Sequence, residues 1–124
     1  MPKSNVKTNP FESISLDYYP NFISVIDSTK HFNLLREELK WQVETYLIYG
    51  KKVQSPRMMA WYGDNDAQYC YSGVDHKPLT WTNELLNIKS SIEDKINHRF
   101  NSVLANLYRN GKDSIGWHSD MKKN

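Results

Sequence analysis

The chain has 124 residues, enough for one domain and too few for two. Apolar residues make up 39% and charged residues 24%, and mean hydropathy is −0.73, a composition that excludes both a disordered chain and a membrane-embedded one. Lys and Arg number 16 against 14 Asp and Glu, so the net charge of +2 neither demands nor forbids nucleic acid; a local patch matters more than the sum.

Residues 1–13 are polar, carry Pro2 and Pro10, and read as a loose lead-in, with one domain over 14–124. A short strand is predicted over 14–19, stopped by Pro20. Asp27 or Ser28 is the predicted cap of a helix over 28–40, whose Phe32, Leu35 and Leu39 share one face. Residues 41–49 are rich in aromatic and β-branched types and predict a strand, with a turn at Gly50-Lys51. A second strand is predicted over 53–62, then a turn at Gly63-Asp64-Asn65, then a short extended piece over 69–71. A second helix is predicted over 82–98, capped by Thr82, with Glu84 in its first turn and Leu85, Ile88, Ile92 and Ile96 as its apolar stripe. Residues 102–109 predict a strand. Asn110-Gly111 is a strong hairpin signal because both residues accept positive φ, so a partner strand should carry Ile115, Trp117 and His118.

One residue group could carry chemistry. His118-Ser119-Asp120 is a His-x-Asp pair, and alternate positions on a strand bring imidazole and carboxylate to one side. Two such ligands suit non-haem Fe(II), and a surface histidine beside a carboxylate gives the same triplet.

The stretch from Phe100 to Asp120, with Asn106-Leu107-Tyr108 and His118-Ser119-Asp120 inside it, resembles the signature of the AlkB family. Pro56-Arg57-Met58-Met59-Ala60-Trp61-Tyr62-Gly63-Asp64 and Tyr71-Ser72-Gly73 resemble earlier blocks of that family, in the same order. These are Fe(II)/2-oxoglutarate dioxygenases that repair alkylated bases. The resemblance implies an α+β fold, the N-terminal part of a double-stranded β-helix (jelly-roll) domain, with two helices packed on an incomplete, mainly antiparallel sheet.

The resemblance also implies roles. His118 and Asp120 match two of the three iron ligands, and Asn106 and Tyr108 match the pair that contacts 2-oxoglutarate. These two alternate on one strand and can hydrogen-bond a carboxylate or neighbouring backbone, as Tyr71 can be a stacking platform or a core tyrosine. Tyr71 matches the aromatic that stacks on the damaged base, with Tyr69 and Ser72 at the same pocket; a base reached this way must leave the duplex stack. Ile48-Tyr49-Gly50 resembles the hairpin wedge of members that act on duplex DNA, with Tyr49 as the wedge. Lys51 and Lys52 follow where they could neutralise phosphates, although a solvated lysine pair reads the same way. Arg57 matches a basic residue near the DNA, and a structural ion pair is the alternative. The implied reaction is oxidative demethylation of N-alkylated bases, 2-oxoglutarate leaving as succinate and CO2. The implied partner is alkylated DNA, or RNA, with no membrane.

No downstream histidine or arginine follows Asp120 to match the family's third ligand and its 2-oxoglutarate clamp. The expectation is an incomplete domain of impaired activity, or a remnant that retains only nucleic-acid binding. One base deleted from codons for Asp-Asp-Glu-Lys-Glu-Leu yields Asp120-Met121-Lys122-Lys123-Asn124 and a stop, so a frameshift is the expected origin of the tail. Met1-Pro2-Lys3-Ser4-Asn5 opens without the apolar run of a secretory signal, and Cys70 is the single cysteine. A reducing compartment is therefore expected, cytoplasmic in a bacterium or nuclear in a eukaryote.

Overall fold

The computed structural model describes residues 15–67, 69–71 and 74–118, with 69–71 and 74–76 described by their backbone. Among the described residues two helices and six short strands run in the order α1 (Val25–Glu38), β1 (Thr45–Ile48), β2 (Lys51–Gln54), β3 (Met58–Gly63), β4 (Tyr69–Tyr71), β5 (Val74–His76), α2 (Asn83–Ile96) and β6 (Ser102–Leu107). Every strand pair is antiparallel: β1 with β2, β3 with β6, β4 with β5. This is an α+β arrangement with short antiparallel pairs and an open sheet.

The core sits where both helices meet one face of the β3–β6 pair. Leu39, Ala60, Tyr62 and Leu85 are buried together, with Leu35, Trp41, Trp81, Val103 and Ala105 packed around them. The register explains the clustering. Ala60 opposes Ala105 and Tyr62 opposes Val103, and opposed residues share a face. Met59, Trp61, Leu104 and Asn106 therefore belong to the other face of the pair. β3 is held on its second edge too. Met59 exchanges two backbone hydrogen bonds with Gln42, both 2.8 Å, and Leu79 bonds Trp61 and Gly63, both 2.9 Å. Gly63 is needed here because a Cβ would stand 2.8 Å from the Asn101 carbonyl oxygen and from the Ser102 Cβ.

α2 forms as the sequence predicts. Thr82 is its cap, its hydroxyl accepting from the Leu85 N–H at 3.2 Å, and Asn97 ends it in the left-handed conformation (φ 53°). α1 starts three residues earlier than predicted. Ser24, not Asp27 or Ser28, is the cap: its hydroxyl accepts from the Asp27 N–H at 3.1 Å, which leaves Asp27 as a first-turn acid favourable to the helix dipole. Val25 and Ile26, 78% and 81% exposed, thus lie on the helix and outside the core. The helices are tied by His31 Nδ1 on the Glu84 carboxylate.

Three further expectations are corrected. Residues 15–19 form no strand. Their chain leads into a turn at Pro20-Asn21, where Phe22 N–H donates to the Tyr19 carbonyl. The predicted strands 41–49 and 53–62 are divided differently: β1 and β2 form one hairpin, turned at Tyr49-Gly50, and β3 begins only after Pro56-Arg57. Pro56 has no N–H for a ladder, which separates β2 from β3. The hairpin expected at Asn110-Gly111 does not form, and Ile115, Trp117 and His118 are not on a strand. β6 stops at Leu107 because the next backbone groups are captured locally. Arg109 N–H donates to the Asp113 carboxylate at 2.9 Å and Lys112 N–H to the Asn110 side-chain oxygen at 2.8 Å.

Candidate active site

The site is assembled at the start of β3. Ser55, Pro56 and Arg57 each reach a different part of it. Ser55 N–H donates to the Glu44 carbonyl at 2.7 Å and closes the base of the β1–β2 hairpin. The Pro56 carbonyl accepts from the Ser114 N–H at 3.0 Å, drawing in the segment that carries His118. The Arg57 Nη1 donates to the Tyr108 hydroxyl at 3.3 Å, just beyond the end of β6. Three consecutive residues therefore join the hairpin, the Asn106–Tyr108 strand end and the His118 segment.

Arg57 is only 9% exposed, and among the described residues it has no ion pair. Its guanidinium is turned inward to Tyr108. Tyr108 is 44% exposed and Asn106 is exposed at the same end of the sheet. Asn106 opposes Met59 in the register, and Leu104, two residues earlier on β6, lies on the same face. A phenol, an amide and a buried guanidinium thus stand at one end of the β3–β6 pair, and each of these groups can hydrogen-bond a carboxylate.

His118 is exposed, and its Nδ1 lies 2.9 Å from the Gly116 carbonyl oxygen. A carbonyl only accepts, so Nδ1 donates in this contact. A backbone anchor of this kind orients an imidazole, as a metal-ligating histidine requires. Asp120 and Ser72 lie outside the described residues. Tyr69 and Tyr71 stand on β4, whose backbone pairs with β5 (Tyr69 opposite His76, Tyr71 opposite Val74). Among the described residues no group of three His, Cys, Asp or Glu stands together.

The β1–β2 hairpin projects from this site into solvent. Its tip is Tyr49-Gly50, with φ of 49° and 77°. Two positive φ values suit a tight two-residue turn, and Asn-Gly is the usual occupant. Tyr49 is fully exposed, at 100%. Leu47 opposes Lys52 and Ile48 opposes Lys51, all exposed, so the finger carries apolar side chains beside two ammonium groups.

Sequence reasoning missed the clasp between Arg109 and Asp113. Arg109 Nε donates to Asp113 Oδ2 at 2.8 Å and Nη2 to Oδ1 at 3.2 Å, besides the backbone contact already described. The i, i+4 spacing was visible in the sequence, but it was read inside a hairpin that does not form. The Arg109 side chain first, and its backbone N–H second, hold the Asp113 carboxyl below its ordinary pKa. Lys89 first, and the Phe100 N–H second, do the same for Glu93. A depressed native pKa gives stability that is complete above the unfolded value, about 4, and is lost as pH falls through the native value. Acidification below about pH 4 should therefore lower the urea midpoint. D113N and E93Q should each flatten that limb, and equal slopes in wild type and both variants would refute the assignment.

A family model described as the 2OG-Fe(II) oxygenase superfamily matches residues 15–124. The chain is similar to alpha-ketoglutarate-dependent dioxygenase alkB homolog 3 of Homo sapiens, with 39% identity over 103 residues, 82% of this chain and 35% of that protein. The Bos taurus protein of the same name is also 39% identical, over 102 residues. DNA oxidative demethylase ALKBH2 of Mus musculus is 31% identical over 115 residues, 90% of this chain and 48% of that protein. The chain thus spans about a third to a half of the length of these relatives. No helix among the described residues is long and apolar enough to cross a membrane. With its matched blocks spread along an antiparallel α+β scaffold, the chain belongs to the 2OG-Fe(II) oxygenase superfamily and is AlkB-like within it.

Proposed function

We propose that this chain carries the hairpin and lesion-facing part of an AlkB-like Fe(II)/2-oxoglutarate dioxygenase that oxidatively demethylates N-alkylated bases in duplex DNA. The observation that carries the duplex reading is Tyr49. A bulky L-residue at positive φ costs conformational energy, on the order of 1–2 kcal/mol, and this one is fully exposed to water as well. Neither folding nor solubility favours a tyrosine there. An aromatic on a stiff two-stranded finger suits filling the gap left by a base taken out of the stack, and Lys51 and Lys52 suit the flanking phosphates. The names of the relatives, a dioxygenase and a DNA oxidative demethylase, support the same reading.

In this reading His118 and Asp120 would hold the iron, Asn106 and Tyr108 would orient 2-oxoglutarate, and Tyr71, with Tyr69 and Ser72 beside it, would stack on the extruded base. When bound, Fe(II) and 2-oxoglutarate supply the oxidation of the N-alkyl carbon, whose product falls apart to an aldehyde and the restored base. The chain's own residues bind, orient and exclude: Arg57 fixes the Tyr108 hydroxyl, and Gly116 fixes the imidazole.

The test is succinate release and binding with duplex and single-stranded oligonucleotides, of DNA and RNA, carrying methylated adenine or cytosine. Y49A is expected to weaken methylated-duplex binding by about tenfold, the scale of one lost stacking contact, and to leave single-strand binding within twofold. Y49N should do the same to duplex binding while raising the stability of the hairpin, because asparagine tolerates positive φ. Duplex binding indifferent to both substitutions would remove the wedge. No succinate release on any substrate would leave nucleic-acid binding as the activity of this chain.

A further inference from the structure

The segment that carries His118 is not part of the sheet. Residues 113–118 form no strand, and the Ser114 N–H on the Pro56 carbonyl, 3.0 Å, ties them to the start of β3. Immediately before this tie the chain is locked by the Arg109–Asp113 clasp. One carboxylate accepts three hydrogen bonds from one residue: backbone N–H at 2.9 Å, Nε at 2.8 Å, Nη2 at 3.2 Å. The Asp113 N–H in turn donates to the Asn110 carbonyl at 3.1 Å, and the Asn110 side chain accepts from the Lys112 N–H at 2.8 Å. Five hydrogen bonds thus fix a five-residue loop whose sides are the end of the Asn106–Tyr108 strand and the start of the His118 segment.

Its geometry is unlike that of a surface ion pair of small consequence. The Asp113 side chain is 8% exposed, and the fork is bidentate, which fixes direction as well as distance. The same carboxylate satisfies a backbone donor left without a strand partner when β6 stops. A clasp made in this way sets the exit angle of the chain after Tyr108 and hence where Ser114 meets Pro56.

We propose that Arg109 and Asp113 are positioning residues for His118: the clasp, acting through the Ser114–Pro56 contact, holds the ligand histidine in register with Tyr108 and Arg57. The inference rests on the proposed reading of His118 as a metal ligand. Neither Arg109 nor Asp113 touches metal or co-substrate in it. A clasp that merely stabilised the loop would alter stability and leave the ligand geometry unchanged.

The experiment uses the full 124-residue chain and two substitutions, with cobalt(II) as the metal probe. D113A removes both the fork and the backbone acceptor. D113N keeps an oxygen for the Arg109 N–H and loses the ion pair, and it guards against a variant that does not fold. Hydrogen exchange is read at the Ser114 amide and across β3–β6, and cobalt affinity is read from its visible absorption. D113A is expected to lose at least tenfold protection at Ser114 and at least tenfold cobalt affinity, with protection across β3–β6 retained; D113N should fall between it and wild type. Unchanged Ser114 protection overturns the inference, and so does lost protection with cobalt affinity within twofold of wild type. A wild-type chain without cobalt affinity overturns the metal reading of His118 and this inference together, whereas affinity that is present and insensitive to both substitutions overturns this inference alone.

Discussion

R57M should weaken 2-oxoglutarate binding by tenfold or more and leave the folded chain as stable as before, or more so. Both halves follow from burial. Arg57 has the Tyr108 hydroxyl as its hydrogen-bond partner and no ion pair among the described residues. Holding a guanidinium out of water beside a neutral phenol costs desolvation energy, and an apolar side chain of similar length removes that cost. What methionine cannot do is orient the phenol or face a bound carboxylate with positive charge. Hydrogen bonds to charged groups are worth about 1.5–3 kcal/mol, which corresponds to roughly tenfold to a hundredfold in affinity. Y108F should show a comparable loss. If the two residues act as a unit, the double variant should bind little worse than the weaker single one. Calorimetric titration with 2-oxoglutarate and a urea melt measure the two effects separately. An R57M chain that keeps its co-substrate affinity within twofold would return Arg57 to a purely structural role.

The second large effect is expected at Leu85, the buried residue of α2, 5% exposed and packed with Leu39, Ala60 and Tyr62. L85A deletes the contact through which α2 covers β3–β6. Leucine-to-alanine changes in cores cost about 2–5 kcal/mol, against a total of about 5–15 for a typical domain. The core here is small, so the loss should lower the urea midpoint strongly and expose the β3–β6 amides to exchange. I26A, on the solvent side of α1, should stay within about 0.5 kcal/mol of wild type. Equal midpoints for the two variants would mean that the helix–sheet contact is not what holds the fold.

The two predictions differ in how far the sequence foreshadowed them. Leu85 belongs to a helical stripe with a threonine cap before it, and both features are local. Arg57 was legible only through the resemblance, as a basic residue near DNA or in an ion pair, and its environment was not: burial depends on which face of β3 the register with β6 turns inward. The same limit explains α1. Ser24, Asp27 and Ser28 are all acceptable caps, and propensity alone does not rank them.

Asn110-Gly111 shows the converse. Its hairpin signal is strong locally, but Asp113 sits where its carboxylate reaches the Arg109 N–H and guanidinium, and those bonds replace a strand pairing. The Tyr49 turn was foreseen within one residue, yet only the β1–β2 register shows that the tyrosine itself occupies the positive-φ position at the tip.

The sequence by itself determined α2 and its cap, the presence of short antiparallel strands, and the family, because these are written in local periodicity and in ordered blocks of residue types. Tertiary structure alone decided that Ser55, Pro56 and Arg57 join the hairpin, the Asn106–Tyr108 strand end and the His118 segment, and that the segment after Tyr108 is clasped rather than paired. The first outcome joins hydrogen-bond partners far apart in the chain, and the second sets a clasp between residues four apart against a strand pairing. Both depend on burial and register, which no single stretch of sequence contains.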